Sequence, residues 1–219
     1  MLQFPLQRAP LLRRVLVLGS HSDDIEIGCG ATLLALSRAR PEVEITWVVL
    51  GAEGDREREA RASAEAFTAA ASRSEVVVHG FRDGFFPYIG GEVKDVFEEL
   101  KSRLDPDVIL THARHDLHQD HRLVCELTWN TWRDHLILEY EIPKYDGDLG
   151  TPNVFVPVSE EIAQEKVKLV LDAFRSQTEK HWFDEELFLG LMRVRGMEGR
   201  SPSGYAEAFT CRKLSLLVA

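Results

Sequence analysis

The chain has 219 residues, 44% of them hydrophobic and 28% charged, a globular composition whose length suits one domain with a core of its own. Lys and Arg number 26 against 36 Asp and Glu, a net charge of −10 without a basic run, which excludes a nucleic-acid partner because phosphate binding needs a cationic face. Cys29, Cys125 and Cys211 lie far apart, form no CxxC pair or disulfide framework and point to a reducing compartment. The apolar runs are strand-length, too short to span a membrane, and Met1–Pro10 lacks the apolar core and cleavage site of a signal peptide. The expectation is a cytoplasmic protein that meets neither nucleic acid nor membrane.

In chain order, Arg14–Gly19 (RVLVLG) reads as a buried strand, and Gly30–Ala39, after a polar stretch, as a helix. Val43–Leu50 is a second strand and Asp55–Ser72 an Ala- and Arg-rich helix with an Asp at its start. Glu75–Gly80 is a third strand. Gly91–Leu104 is a helix with Val93, Val96, Phe97 and Leu100 on one face, and Asp107–His112 a fourth strand. This alternation predicts an α/β, Rossmann-like fold with a mostly parallel sheet, helices on both faces and an active site at the C-terminal ends of the strands. From about residue 135 the pattern is less regular. Leu136–Ile142 and Asn153–Val158 read as strands, Ser159 caps a helix to about Ser176, Asp184–Arg195 is a further helix, and Tyr205–Leu217 ends extended. Residues 1–219 are read as a single domain.

Two polar clusters follow predicted strands: Gly19-Ser20-His21-Ser22-Asp23-Asp24 after the first, and His112 to His121 (HARHDLHQDH) after the fourth. Those strands can lie side by side in a doubly wound sheet, so both loops can share one crevice. Histidine and carboxylate donors with an open position are what a catalytic zinc needs, and a nearby carboxylate off the metal can take a proton from water. The competing reading is structural: an Asp pair after a strand also caps helices, and surface loops collect His and Asp. His112, His115, His118 and His121 are too many for one site. If Leu117–His121 begins a helix, His118 and His121 share a face, which leaves His112 as a packing or supporting residue and His115 as solvent-exposed.

The motifs HSDD (21–24) and DLHQDH (116–121) resemble those of the LmbE-like, or PIG-L, deacetylases, zinc enzymes that remove acetyl from N-acetylglucosamine-containing substrates. That family writes its first motif HPDD followed by a glutamate; this chain has Ser22 in place of the proline, and Glu26. The resemblance extends to Ile27-Gly28-Cys29-Gly30, to Arg56-Glu57-Arg58-Glu59, to Asp105-Pro106-Asp107-Val108 and to Tyr205-Ala206-Glu207-Ala208-Phe209. It implies His21, Asp24 and His121 as zinc ligands, Asp23 as general base and His118 as a donor to the oxyanion. It also implies a homo-oligomer.

The resulting expectation is a zinc-dependent N-deacetylase that cleaves an N-acetyl group from an amino-sugar conjugate by attack of a zinc-bound water. Two His and one Asp suit ferrous iron as well as zinc. Competing expectations are an amidase on a thiol–sugar conjugate or an acylated antibiotic precursor, and a metal-binding protein without activity. A phosphoesterase would favour two metals and more basic residues. Arg56 and Tyr205 are candidate substrate contacts, with a solvated arginine and a buried aromatic as the alternatives. Asp116 and Asp120 are expected to orient histidines or cap the next helix. Gly28 and Gly30 do not make a dinucleotide fingerprint, because Leu33 stands where its third glycine belongs.

Overall fold

A computed structural model describes residues 12–215. The expectations for Met1–Pro10 and for the last residues of the Tyr205–Leu217 segment fall outside that range.

Seven strands form one sheet: β1 (Arg14–His21), β2 (Glu44–Gly51), β3 (Arg73–Val78), β4 (Val108–His112), β5 (Leu136–Tyr140), β6 (Val154–Val158) and β7 (Tyr205–Thr210). Their order is β3-β2-β1-β4-β5-β7-β6. The first five strands are parallel, while β7 runs antiparallel to both β5 and β6. Strands β1 and β4 are neighbours, with Val15 opposite Val108 and Val17 opposite Leu110. The chain order therefore reverses between them, and a crevice opens beyond their carboxyl ends.

Alternation along β1 sends side chains to two cores. Val15 and Val17 pack on one face with Trp47, Leu33, Phe67 and Val167, under α1 (Asp24–Ala39), α2 (Asp55–Thr68) and α5 (Glu160–Ala173). Leu16 and Leu18 pack on the other with Phe97, Leu100, Val124 and Trp132, under α3 (Gly90–Arg103) and α4 (Gln119–Thr131). The last helix, α6 (Glu185–Glu198), adds Phe188 and Met192 to the first core. Ser159 caps α5 as expected, accepting from Ile162 N–H at 3.3 Å. Among the described residues no helix is long and apolar enough to cross a membrane.

The structure corrects one boundary that matters. Helix α1 begins at Asp24, not at Gly30, and carries non-helical dihedrals at Cys29 (φ −145°, ψ 15°). A single helical turn thus precedes a break, and only the part after the break carries the apolar periodicity visible in sequence. Gly28 is required at that first turn because a Cβ there would lie 2.2 Å from the Tyr140 ring.

Candidate metal centre

Each strand end delivers one part of the site. His21 is the last residue of β1, Asp23 is the N-cap of α1 and Asp24 its first residue. His112 ends β4, and His118 caps α4, whose first turn holds His121. Arg56 comes from the first turn of α2, beyond β2, and Asp83 from the loop beyond β3.

Three donor atoms face one another. His21 Nδ1 lies 3.3 Å from Asp24 Oδ2, His121 Nε2 lies 3.4 Å from the same oxygen, and the two nitrogens are 3.2 Å apart. Ligands of a tetrahedral zinc bonded at about 2.0–2.1 Å stand roughly 3.3 Å from each other, so this triangle fits one face of such a coordination shell. The three residues are buried, with 2–7% exposure. Buried charges are stable when paired or when they coordinate a metal.

The remaining ring nitrogens are set by carboxylates. His121 Nδ1 lies 2.9 Å from Asp116 Oδ2, which Lys144 also contacts at 2.9 Å. His21 Nε2 lies 3.0 Å from Asp83 and 3.2 Å from Asp120. Asp120 is itself held by the N–H groups of Gly84 (2.6 Å) and Phe86 (3.1 Å). Each imidazole can thus donate outward to a carboxylate and keep its inward lone pair for a cation, the usual arrangement around metal-binding histidines. Asp116 and Asp120 orient histidines, as the sequence suggested.

The electrostatics agree with this division. Burial works to raise the Asp24 carboxyl, but His121, His21 and His112 outweigh it and hold it well below the usual range. Burial raises Asp23, the Arg56 guanidinium pulling the other way. The hydrogen bond to His21 draws Asp83 down to about 2. Burial, with His121 and His21 nearby, lowers His118. The Nδ1 atom of His118 accepts the Asp120 N–H at 3.3 Å, which places the proton of the neutral ring on Nε2. That ring remains a hydrogen-bond donor without a positive charge.

His112 is fully buried and its Nε2 lies 3.3 Å from Asp24. That nitrogen also accepts the Ser20 N–H at 2.9 Å, so its lone pair serves the backbone and the residue acts as support. His115 is exposed. Arg56 reaches the site: Nε donates to Ser22 Oγ at 2.9 Å and Nη2 to Asp23 Oδ1 at 3.1 Å. The serine that replaces proline in the motif therefore anchors the arginine that contacts Asp23. Tyr205 is not brought to the cluster; its ring lies 5.0 Å from the Arg193 guanidinium. Sequence reasoning missed Asp83 and Lys144. Asp83 carried a usable signal, since it lies just beyond a predicted strand, as the HSDD and DLHQDH motifs do.

The family model described as PIG-L, GlcNAc-PI de-N-acetylase, matches residues 16–132, which contain every member of the donor triangle. No curated protein matches the sequence. Among solved structures the chain is similar to the N,N'-diacetylchitobiose deacetylase of Pyrococcus horikoshii in complex with an inhibitor (18% identity, 91% of this chain and 83% of that one, TM-score 0.67). It is also similar to the zinc-inhibited form of teicoplanin deacetylase Orf2 (16% identity, 92% and 100%, TM-score 0.70). GalB of Pseudomonas putida KT2440, a 4-carboxy-2-hydroxymuconate hydratase, is similar to the same degree (15% identity, 95% and 99%, TM-score 0.69). At these identities the solved structures establish the fold alone, and the hydratase shows that the fold by itself does not choose the reaction.

Proposed function

The chain belongs to the PIG-L (LmbE-like) de-N-acetylase family, and from that premise we propose that it is a metal-dependent hydrolase removing an N-acetyl group from an amino-sugar conjugate. The observation that carries this reading is the buried triangle of His21 Nδ1, Asp24 Oδ2 and His121 Nε2. These three residues would hold the ion, and zinc or ferrous iron would suit the donor set. A divalent ion bound there supplies Lewis acidity, polarising the amide carbonyl and acidifying a water.

The chain's own groups then divide the proton work. Asp23 sits beside Asp24 at the same helix start, yet its carboxyl is raised by burial, which suits a general base. It takes a proton from the attacking water and returns one to the departing amine. His118 donates a hydrogen bond from its Nε2–H to the developing oxyanion and keeps the proton, a contribution of about 3–4 kcal/mol for one such donor. Arg56 orients Asp23 through the Ser22 anchor. The amino-sugar preference rests on the family, and is in keeping with the chitobiose and teicoplanin deacetylases that share the fold.

Mass spectrometry of products from N-acetylglucosamine conjugates tests the reaction class. The expected products are a free amine and acetate. Intact conjugates, with neither free amine nor acetate released by metal-loaded protein, would make the deacetylase reading wrong.

A further inference from the structure

The C-terminal motif Tyr205–Phe209 takes no part in the chemistry above, yet one of its residues enters the helix that carries Asp24. Both oxygens of Glu207 accept backbone N–H groups of α1, from Ala31 at 3.0 Å and from Thr32 at 2.7 Å. Lys166, on α5, donates to Ile27 O at 2.6 Å and to Glu207 Oε1 at 2.6 Å. In an unbroken helix the Ile27 carbonyl would accept from the Ala31 amide. Here the carbonyl is engaged by Lys166 and the amide by Glu207, so an ion pair is inserted into the helical ladder where the dihedrals break at Cys29.

Both side chains are buried, Lys166 at 2% and Glu207 at 3% exposure. Such a pair gives little stability over apolar residues of the same volume, so its presence calls for another role. The turn before the break begins with Asp23 and Asp24 and is closed by the Ile27 N–H to Asp23 O bond of 3.1 Å. The helix after the break is anchored in the core by Ala31, Leu33 and Leu34. The angle at the break therefore acts together with the buried Ile25 and Ile27 side chains and the His21 N–H bond to Asp24 Oδ2 of 2.7 Å to set where the two carboxylates stand relative to His121.

We infer that Lys166 and Glu207 are positioning residues of the metal centre, an ionic brace that holds the Asp23–Asp24 turn in its coordinating orientation. The inference rests on the metal reading of the preceding subsection, and its test reads metal rather than turnover. Zinc affinity and the visible absorption spectrum of the cobalt(II)-loaded protein would be measured for the wild type, Glu207→Gln and the apolar pair Lys166→Met/Glu207→Leu. The apolar pair removes the brace without leaving a lone buried charge, so it keeps the test open if Glu207→Gln fails to fold. The expected result is zinc affinity about 10- to 100-fold weaker with an altered cobalt spectrum in each folded variant. Wild-type affinity and spectrum in the folded apolar pair would overturn the brace, as would affinity that merely follows melting temperature across the set. A wild type that binds no metal would overturn both readings. One that binds metal but releases no acetate would overturn the deacetylase reading alone, and the brace would stand or fall on the affinities.

Discussion

The five parallel strands and the antiparallel return of β7 and β6 both bury charge, but in opposite ways. At the ends of β1 and β4 the charges form an open cluster, in which Asp24 faces His21, His112 and His121 around a shared point. In the C-terminal part they form closed pairs. Lys166 meets Glu207 at 2.6 Å, and Arg195 meets Glu141 through two bonds of 2.6 and 2.8 Å. A closed pair satisfies itself and can only brace, whereas an open cluster of donors still has a site for a ligand. The first region is therefore assigned chemistry and the second geometry, and substitutions in the two should fail differently.

The largest effect on turnover is expected at Asp23. Asp23→Asn should lower kcat by about 10²- to 10⁴-fold with bound zinc unchanged, as read by turnover beside metal analysis. Near-normal turnover with full zinc would remove Asp23 from the base role. Arg195→Ala should show the opposite pattern. It strands the buried Glu141 carboxylate and should cost about 3–5 kcal/mol of folding stability, read from the denaturant midpoint, while the remaining folded protein keeps its zinc. Loss of zinc without loss of stability at Arg195 would make its pair with Glu141 a second brace of the metal centre, beside Lys166 and Glu207.

Smaller changes sharpen the comparison inside the open cluster. Asp116→Asn weakens the carboxylate that faces His121 Nδ1, and zinc affinity should fall by about 10- to 100-fold in a direct titration. Ser22→Ala removes the Arg56 anchor and should cost about 1 kcal/mol, roughly fivefold in kcat/KM. A much larger loss would mean that Arg56 itself contacts substrate.

These expectations also show where sequence was informative. β-Branched runs and the helical face of Val93, Val96, Phe97 and Leu100 reveal strands and helices because local burial dictates them. The two metal motifs stand out because each follows a strand. Other features depend on contacts between distant positions. Asp83 lies beside His21 only through the exit of β3, and Lys144 reaches Asp116 only through the segment after β5. The first turn of α1 was hidden because its apolar residues, Ile25 and Ile27, alternate with Asp24 and Glu26 and do not repeat at helical spacing, and its break is held by Lys166 and Glu207, residues with no local mark of that role. The antiparallel return of β7 beside β5 likewise leaves no periodic trace.

The most direct measurement of the central claim is acetate release from an N-acetylglucosamine conjugate as zinc is returned to metal-stripped protein, with His121→Ala in parallel. The account predicts release that rises to a maximum near one equivalent of zinc in the wild type and stays at least about a thousandfold lower in the variant. Equal release from stripped and reloaded protein, or from His121→Ala, would contradict a metal centre built on His21, Asp24 and His121.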